Sequence, residues 1–381
     1  MCYDAAPSLI LGEEMDRSAG ISRRRFLAAT SCFGAAYAVA RLIPLPALAQ
    51  TVAQDSRVAA APLADKGFAS VRRIGNGVYA NVADTSKGLQ SMCNAGFLVG
   101  RDAAFLIEGF CTPTGAMFQM DTLRMVSPVP VRAALDTHYH FDHSMGNAVY
   151  GAHEISLWGH AKVASRMMES YGSLQGTDRA AFVADFEKRV RDARTDTERQ
   201  HAESDLGAAG LIFDTANSTV LALPNHPLDP AKLPLTVDLG GLSAVLESYP
   251  GHSGTDLIVR VPEQNIVFTG DLLFNAFYPV TFDASISAWR KTLAHFASLG
   301  KDTLFVPGHG QICGQEGVSL FASTFDDLAE YAEKTYKAGV PAAESIARYT
   351  VPEKFKNLIV FAWSLTVGST ITKLYEEWSG R

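Results

Sequence analysis

No two cysteines in this chain stand in a CxxC arrangement, so the spacing that marks zinc ribbons and dithiol redox sites is missing. A surplus of basic residues is missing as well. Lys and Arg number 33 against 40 Asp and Glu, a net charge of −7, which argues against a nucleic acid held on a basic surface. Internal repeats and low-complexity segments are absent, which excludes a solenoid. The apolar run from Ala28 to Ala40 falls short of the roughly 20 residues that cross a bilayer, and Arg41 ends it.

What is present suffices for a full hydrophobic core: 381 residues, 47% of them hydrophobic, in one large domain or two small ones. Ser22-Arg23-Arg24-Arg25-Phe26-Leu27 places paired arginines before the apolar run, and Ala47-Leu48-Ala49 offers small residues for cleavage before Gln50. This layout predicts a twin-arginine-type signal peptide over residues 1–49, export to the periplasm, and no stable membrane span after cleavage. Cys2 and Cys32 leave with the leader. Cys93, Cys111 and Cys313 then allow at most one intramolecular disulfide, and buried unpaired thiols are the simpler expectation.

Residues 50–68 read as a flexible lead-in. Strand patterns follow at 71–82, 95–99 and 104–107, then a helix over 114–125 and a buried strand over 131–135. A short strand at 154–158 leads to a helix at 161–171. The charge-dense stretch 176–206 carries Phe182, Phe186, Val190 and Ala193 at helical spacing, which predicts an amphipathic excursion. The proline-bearing stretch 211–235 reads as irregular. Hairpins are expected over 235–249 and 256–269, a helix over 287–299 and a strand over 303–306. Beyond Gly314 the chain reads as helical to its end, with Leu358, Ile359, Trp363, Val367, Thr370 and Leu374 on one apolar face that packs on the core or on a second subunit of a homodimer. This order suits two mostly β halves covered by helices.

The densest chemistry lies in Thr137-His138-Tyr139-His140-Phe141-Asp142-His143, directly after the buried strand 131–135. Imidazoles and a carboxylate crowded at a buried strand end need a metal ion or a dense hydrogen-bond network. His138 and His140 share a side by the two-residue strand period, and a turn into a helix at Asp142 redirects Asp142 and His143. Two directions of ligand groups point to two metal ions. Three further groups end apolar stretches: His252 in Pro250-Gly251-His252-Ser253-Gly254, Asp271 in Thr269-Gly270-Asp271, and His309 in Pro307-Gly308-His309-Gly310. Glycines beside these residues let the backbone turn sharply and bring the side chains to a shared centre.

His138-x-His140-x-Asp142-His143 followed by His252, Asp271 and His309 resembles the metallo-β-lactamase fold superfamily over about residues 70–315. The resemblance implies an α/β fold, the four-layer αββα sandwich, as a hydrolase domain over 69–315 with an insertion at about 172–235 and a helical extension over 316–381. It implies that His138, His140 and His252 hold one metal, that Asp142, His143 and His309 hold the other, and that Asp271 bridges both. Zinc is the expected ion, with iron or manganese as alternatives. The implied reaction is hydrolysis by a metal-activated water, with Asp142 orienting the nucleophile. Glu108, in Leu106-Ile107-Glu108-Gly109, stands where such families often carry a shorter aspartate, and reads as a partner of a ligand histidine or as a turn carboxylate.

Asp271 bears on the substrate. Dedicated metallo-β-lactamases usually have Cys or Ser at the bridging position, whereas glyoxalase II-like thioesterases, lactonases and phosphodiesterases of the fold keep Asp. The expectation is a small-molecule ester, lactone, thioester or amide. β-Lactam hydrolysis and a non-catalytic periplasmic accessory role are the alternatives. Tyr139, Phe141, Phe274, Phe277 and Tyr278 each read first as core residues; as a group near the site they favour a substrate with an apolar portion, with Tyr139 or Tyr278 as a candidate oxyanion donor.

Overall fold

The computed structural model describes residues 55–380. The leader and its cleavage point lie outside the described residues. The first sheet has eight strands in chain order: β1 (Ala64–Asp65), β2 (Ala69–Gly75), β3 (Val78–Ala83), β4 (Ala95–Val99), β5 (Ala104–Ile107), β6 (Val131–Leu135), β7 (Leu157–His160) and β8 (His226–Leu228). It is an antiparallel meander as far as β5 and parallel from β5 to β8. The second sheet has five: β9 (Leu235–Asp238), β10 (Ser243–Ser248), β11 (Leu257–Val261), β12 (Ile266–Phe274) and β13 (Leu304–His309). It too is antiparallel except for its last pair, β12 with β13.

Strand alternation builds the layers. Phe105, Ile107, Ala133 and Leu135 point inward and meet Leu257, Val259, Ile266, Phe268, Leu304 and Val306 from the opposite sheet. Their neighbours Leu106 and Ala134 point outward, into a cluster with helix α1 (Pro113–Val126). Ile258, Val267 and Phe305 do the same on the far face. A period of two buried on both sides gives a helix–sheet–sheet–helix sandwich. The expected four-layer fold is what forms.

After β6 come two short helices, α2 (Phe141–Ser144) and α3 (Ala148–Ala152), and after β7 comes α4 (Val163–Ser170). The charge-dense excursion is a helical pair, α5 (Arg179–Asp192) and α6 (Asp196–Ser218). Thr195 and Glu198 close a capping box at the start of α6. The stretch expected to be irregular from residue 211 is therefore helical to Ser218, because Phe213 and Ala216 are buried and keep the turn period. Outside the second sheet lie α7 (Ile286–Ser298), α8 (Gln315–Lys337), α9 (Ala342–Arg348) and α10 (Ser369–Ser379).

The C-terminal region is not helical throughout. Residues 349–363 are mostly irregular, and a π-helical turn, Ser364–Gly368, leads into α10. Pro352 and a left-handed Ala362 break the period that residues 351–378 show on paper. Phe355, Trp363, Val367, Ile371 and Leu374 pack on the outer face of the second sheet together with Trp289 and Phe325, so this apolar face is covered by the chain itself. No helix among the described residues is long and apolar enough to cross a membrane. Cys93, Cys111 and Cys313 are free and buried.

Candidate metal centre

Strand ends, one turn and a bulged strand supply the site. β6 delivers the His138–His143 loop, the β10–β11 turn delivers His252, and bulges in the β12–β13 pairing place Asp271 and His309 on the same edge. Gly308 permits the approach of β13, since a Cβ there would stand 1.9 Å from Asp271 Oδ1. All seven predicted side chains converge in two sets. His138, His140, His252 and Asp271 form one, Asp142, His143 and His309 the other, and the ligand atoms of each set lie within 4.8 Å of one another.

In the first set, His140 Nδ1 is 3.0 Å from His138 Nε2 and 2.8 Å from His252 Nε2. The opposite nitrogens fix the tautomers. His252 Nδ1 faces the Val280 carbonyl at 3.0 Å, so it carries the proton. Thr137 Oγ1 donates to Glu108 Oε1 at 2.6 Å and so accepts from His138 Nδ1 at 3.1 Å. The Nε2 atoms of His138 and His252 are thus lone pairs aimed at a third imidazole. Burial, the largest cause for each, and the neighbouring imidazoles hold His138 and His140 well below the usual histidine range. Burial lowers His252 as well. Protonation therefore does not relieve the crowding.

The second set pairs acid with base. His309 Nε2 lies 3.1 Å from Asp142 Oδ2, and His143 Nε2 lies 3.4 Å from it. Burial opposes the charge of His309, but Asp271 and Asp142 outweigh it and raise its pKa to about 9. His143 moves the same way against its own burial, through Cys93, Asp271 and Asp142. Asp271 joins the sets: Oδ2 is 3.2 Å from His252 Nε2, and Oδ1 is 3.1 Å from His143 Nε2. Burial would raise the Asp271 carboxyl, yet His143, His309 and His252 hold it well below the carboxylate range.

These residues fit divalent cations. His140 Nε2, both His143 ring nitrogens and Asp271 Oδ1 are buried without an aligned hydrogen-bond partner. Tetrahedral zinc with bonds of about 2.0–2.1 Å sets its ligands about 3.3 Å apart. The separations of 2.8 to 3.2 Å around His140, His252 and Asp271 are close to that.

Glu108 is buried in a left-handed conformation (φ 72°), with Oε1 3.1 Å from His143 Nδ1. Of its two predicted roles, the contact with a ligand histidine is the one observed. Sequence reasoning missed Thr137, the Val280 carbonyl and Phe282. Only Thr137 carried a signal, its place beside His138. Phe282 is exposed and its ring stacks 5.0 Å from that of His140. Tyr139, Phe274 and Tyr278 are core residues, the reading the sequence favours for any one of them. Neither tyrosine is a free oxyanion donor. Tyr139 donates to Asp283 and accepts from Arg166, while the Tyr278 hydroxyl bonds that of Tyr349.

A model of the metallo-beta-lactamase superfamily matches residues 88–309, more than half of the chain. No curated protein matches it. Among solved structures, a metallo-beta-lactamase from Pontibacter korlensis is 16% identical over 67% of this chain and 98% of its own, with a TM-score of 0.48. The stereoselective inverting sec-alkylsulfatase Pisa1 from Pseudomonas sp. is 16% identical over 82% of this chain, with a TM-score of 0.54. A double mutant of the sec-alkyl sulfatase PisA1 is 15% identical over 91% of this chain, with a TM-score of 0.57. The chain covers 50% and 62% of those two sulfatase chains, and the likeness is one of fold.

Proposed function

We propose the following from the premise that the chain belongs to the metallo-beta-lactamase superfamily and is a hydrolase: it is a dinuclear enzyme acting on a small ester, lactone, thioester or amide. His138, His140 and His252 would hold one ion, Asp142, His143 and His309 the other, and Asp271 would bridge them. Zinc is the first choice for this mixed imidazole and carboxylate set, with iron or manganese as alternatives. The observation that carries the reading is Asp271, whose two oxygens face different histidine sets at 3.2 and 3.1 Å.

The two cations, when bound, would lower the pKa of a shared water and polarise the scissile carbonyl. The chain's own part is positional. Asp142 Oδ2 lies 3.1 Å from His309 Nε2 and 3.4 Å from His143 Nε2, which places a carboxylate where it can accept a hydrogen from the attacking water and aim it. Tyr139, Phe141 and Met145 are buried around the loop and close its back to solvent. A carboxylate at position 271 favours ester, lactone and thioester substrates over β-lactams. Delivery to the periplasm rests on the Ser22–Leu27 arginine pattern alone.

The deciding experiment joins metal analysis of the purified protein to a screen of esters, lactones, thioesters, amides, β-lactams and alkyl sulfates. Chelation should abolish turnover of an acyl substrate, and zinc should restore it. Absence of metal together with silence on every bond type would sink the proposal. A metal-loaded but silent protein would favour the accessory role.

A further inference from the structure

We infer that Phe282 is the wall against which the substrate's apolar portion lies, so that the preferred substrate carries an uncharged alkyl or aryl group beside the scissile bond. This deepens the hydrolase proposal and rests on it.

A single exposed phenylalanine is ordinary on a protein surface. Phe282 is 41% exposed, but its setting differs from that of the other exposed large apolar side chains, Leu63, Met125, Met168, Val220 and Trp378. Its ring lies 5.0 Å from His140 at an interplanar angle of 28°, over a nitrogen cluster suited to a cation. It is not the tip of a loose loop. Tyr278 N–H donates to Ile359 O at 2.8 Å, Ile359 N–H to Ala276 O at 2.9 Å, and Thr281 N–H to Leu365 O at 2.8 Å. On the other side of the ring, Asp283 accepts from Tyr139 and Arg166. A ring fastened on both flanks and still open to solvent is presented by the fold.

The apolar rim continues from there. Phe277, half-buried, lies 5.7 Å from His309 of the second set. Phe361 of the C-terminal region and Leu211 and Ile212 of helix α6 are half-buried against the cluster that contains Tyr139 and Phe141. Arg166, held by Asp283 next to Phe282 in the chain, offers nothing to a charged tail. Arg166 is already paired with Asp283 at 3.0 Å and Glu169 at 3.3 Å, and its guanidinium carbon rests 4.7 Å above the Tyr139 ring. Recognition at this wall is therefore by burial of apolar surface.

The test uses binding without turnover: calorimetric titration of the zinc-loaded protein with n-alkyl carboxylates from acetate to octanoate. A fully buried methylene corresponds to about a fourfold gain in affinity, so a wall open on one side should give about twofold per carbon. Phe282→Ala should flatten that slope. Phe282→Gln keeps bulk over His140 but not the apolar face, and should flatten it equally, which carries the test if the alanine variant loses an ion. Parallel slopes in wild type and Phe282→Gln, or no binding up to octanoate, would overturn the inference. So would conversion of a dimer to a monomer by Phe282→Ala in sedimentation with the slope unchanged, because Phe282 would then belong to a subunit contact. A steep, Phe282-dependent series in a protein that hydrolyses nothing defeats the hydrolase proposal alone. A flat series in an active enzyme defeats only this one.

Discussion

The two halves of the candidate centre are built on opposite electrostatic plans. In the half made by His138, His140 and His252, neutral imidazoles face one another nitrogen to nitrogen at 2.8 and 3.0 Å. Burial keeps all three from taking up protons. In the half made by Asp142, His143 and His309, carboxylate faces imidazole at 3.1 and 3.4 Å, and both histidines are pushed toward the charged form. Lone pairs crowded together need a cation more than paired charges do. The expected consequence is an order of binding: the three-histidine half holds its ion more tightly and gives it up last.

The sharpest way to break this comparison is to remove what the halves share. Asp271→Ala should take the protein from two ions to one or none and abolish hydrolysis, as read by metal analysis of folded protein. Two ions retained would show that the halves are independent. Next come single-half changes. His140→Ala should cost the three-histidine half its ion, whereas His309→Ala, at a side chain 13% exposed on the rim, should cost only the other. Both losses should exceed the 10–100-fold drop in affinity typical of changes outside the ligand shell. Equal loss from either half in either variant would remove the distinction. Stepwise dialysis against a chelator should lower thermal stability in two stages, each about 2.7 kcal/mol where the ion had been at a hundred times its Kd. A single stage would mean the two ions bind as one unit.

Much of this is legible in the sequence. The seven candidate ligand residues stood out as a set: four crowd one buried strand end, three lie beside glycine at the ends of apolar stretches and are weak signals alone, and it is the resemblance to the superfamily that joins them; the strands themselves alternate or run apolar as buried strands do. The hairpins at Gly240-Gly241 and at residues 262–265 were signalled by their turn residues. Contacts between distant segments were not legible. Nothing in the sequence ties the Val280 carbonyl to His252, or Phe282 to His140, because both depend on how residues 276–281 pair with residues 359–365. The C-terminal face failed for a related reason. Its apolar spacing is real, but Ala362 takes a left-handed conformation that no local pattern announces, and tertiary packing overrides the helical period.

Gly308→Ala tests the bridge from the backbone side. The added Cβ would stand 1.9 Å from Asp271 Oδ1, the oxygen that faces His143 and His309. The His143 and His309 half should lose affinity while the three-histidine half, served by Oδ2, keeps its ion. Equal loss from both would show that the carboxylate moves as a body.

The smallest expected effect comes from Glu108, and it bears most directly on whether the two plans are linked. One oxygen, Oε1, contacts His143 Nδ1 at 3.1 Å and accepts from Thr137 Oγ1 at 2.6 Å, and Thr137 in turn faces His138 Nδ1 at 3.1 Å. A single buried carboxylate therefore orients one histidine of each half, directly in one case and through a hydroxyl in the other. Glu108→Gln keeps the shape and removes the charge. It should weaken the half containing His143 by about 10–100-fold and the half containing His138 by less, since Thr137 can still accept from His138 when its own partner is an amide. Competition with a chromogenic chelator reads both affinities in one titration. An equal loss in the two halves would mean that Glu108 acts by charge across the whole centre, and no loss in either would make it a turn carboxylate whose left-handed backbone serves the fold alone.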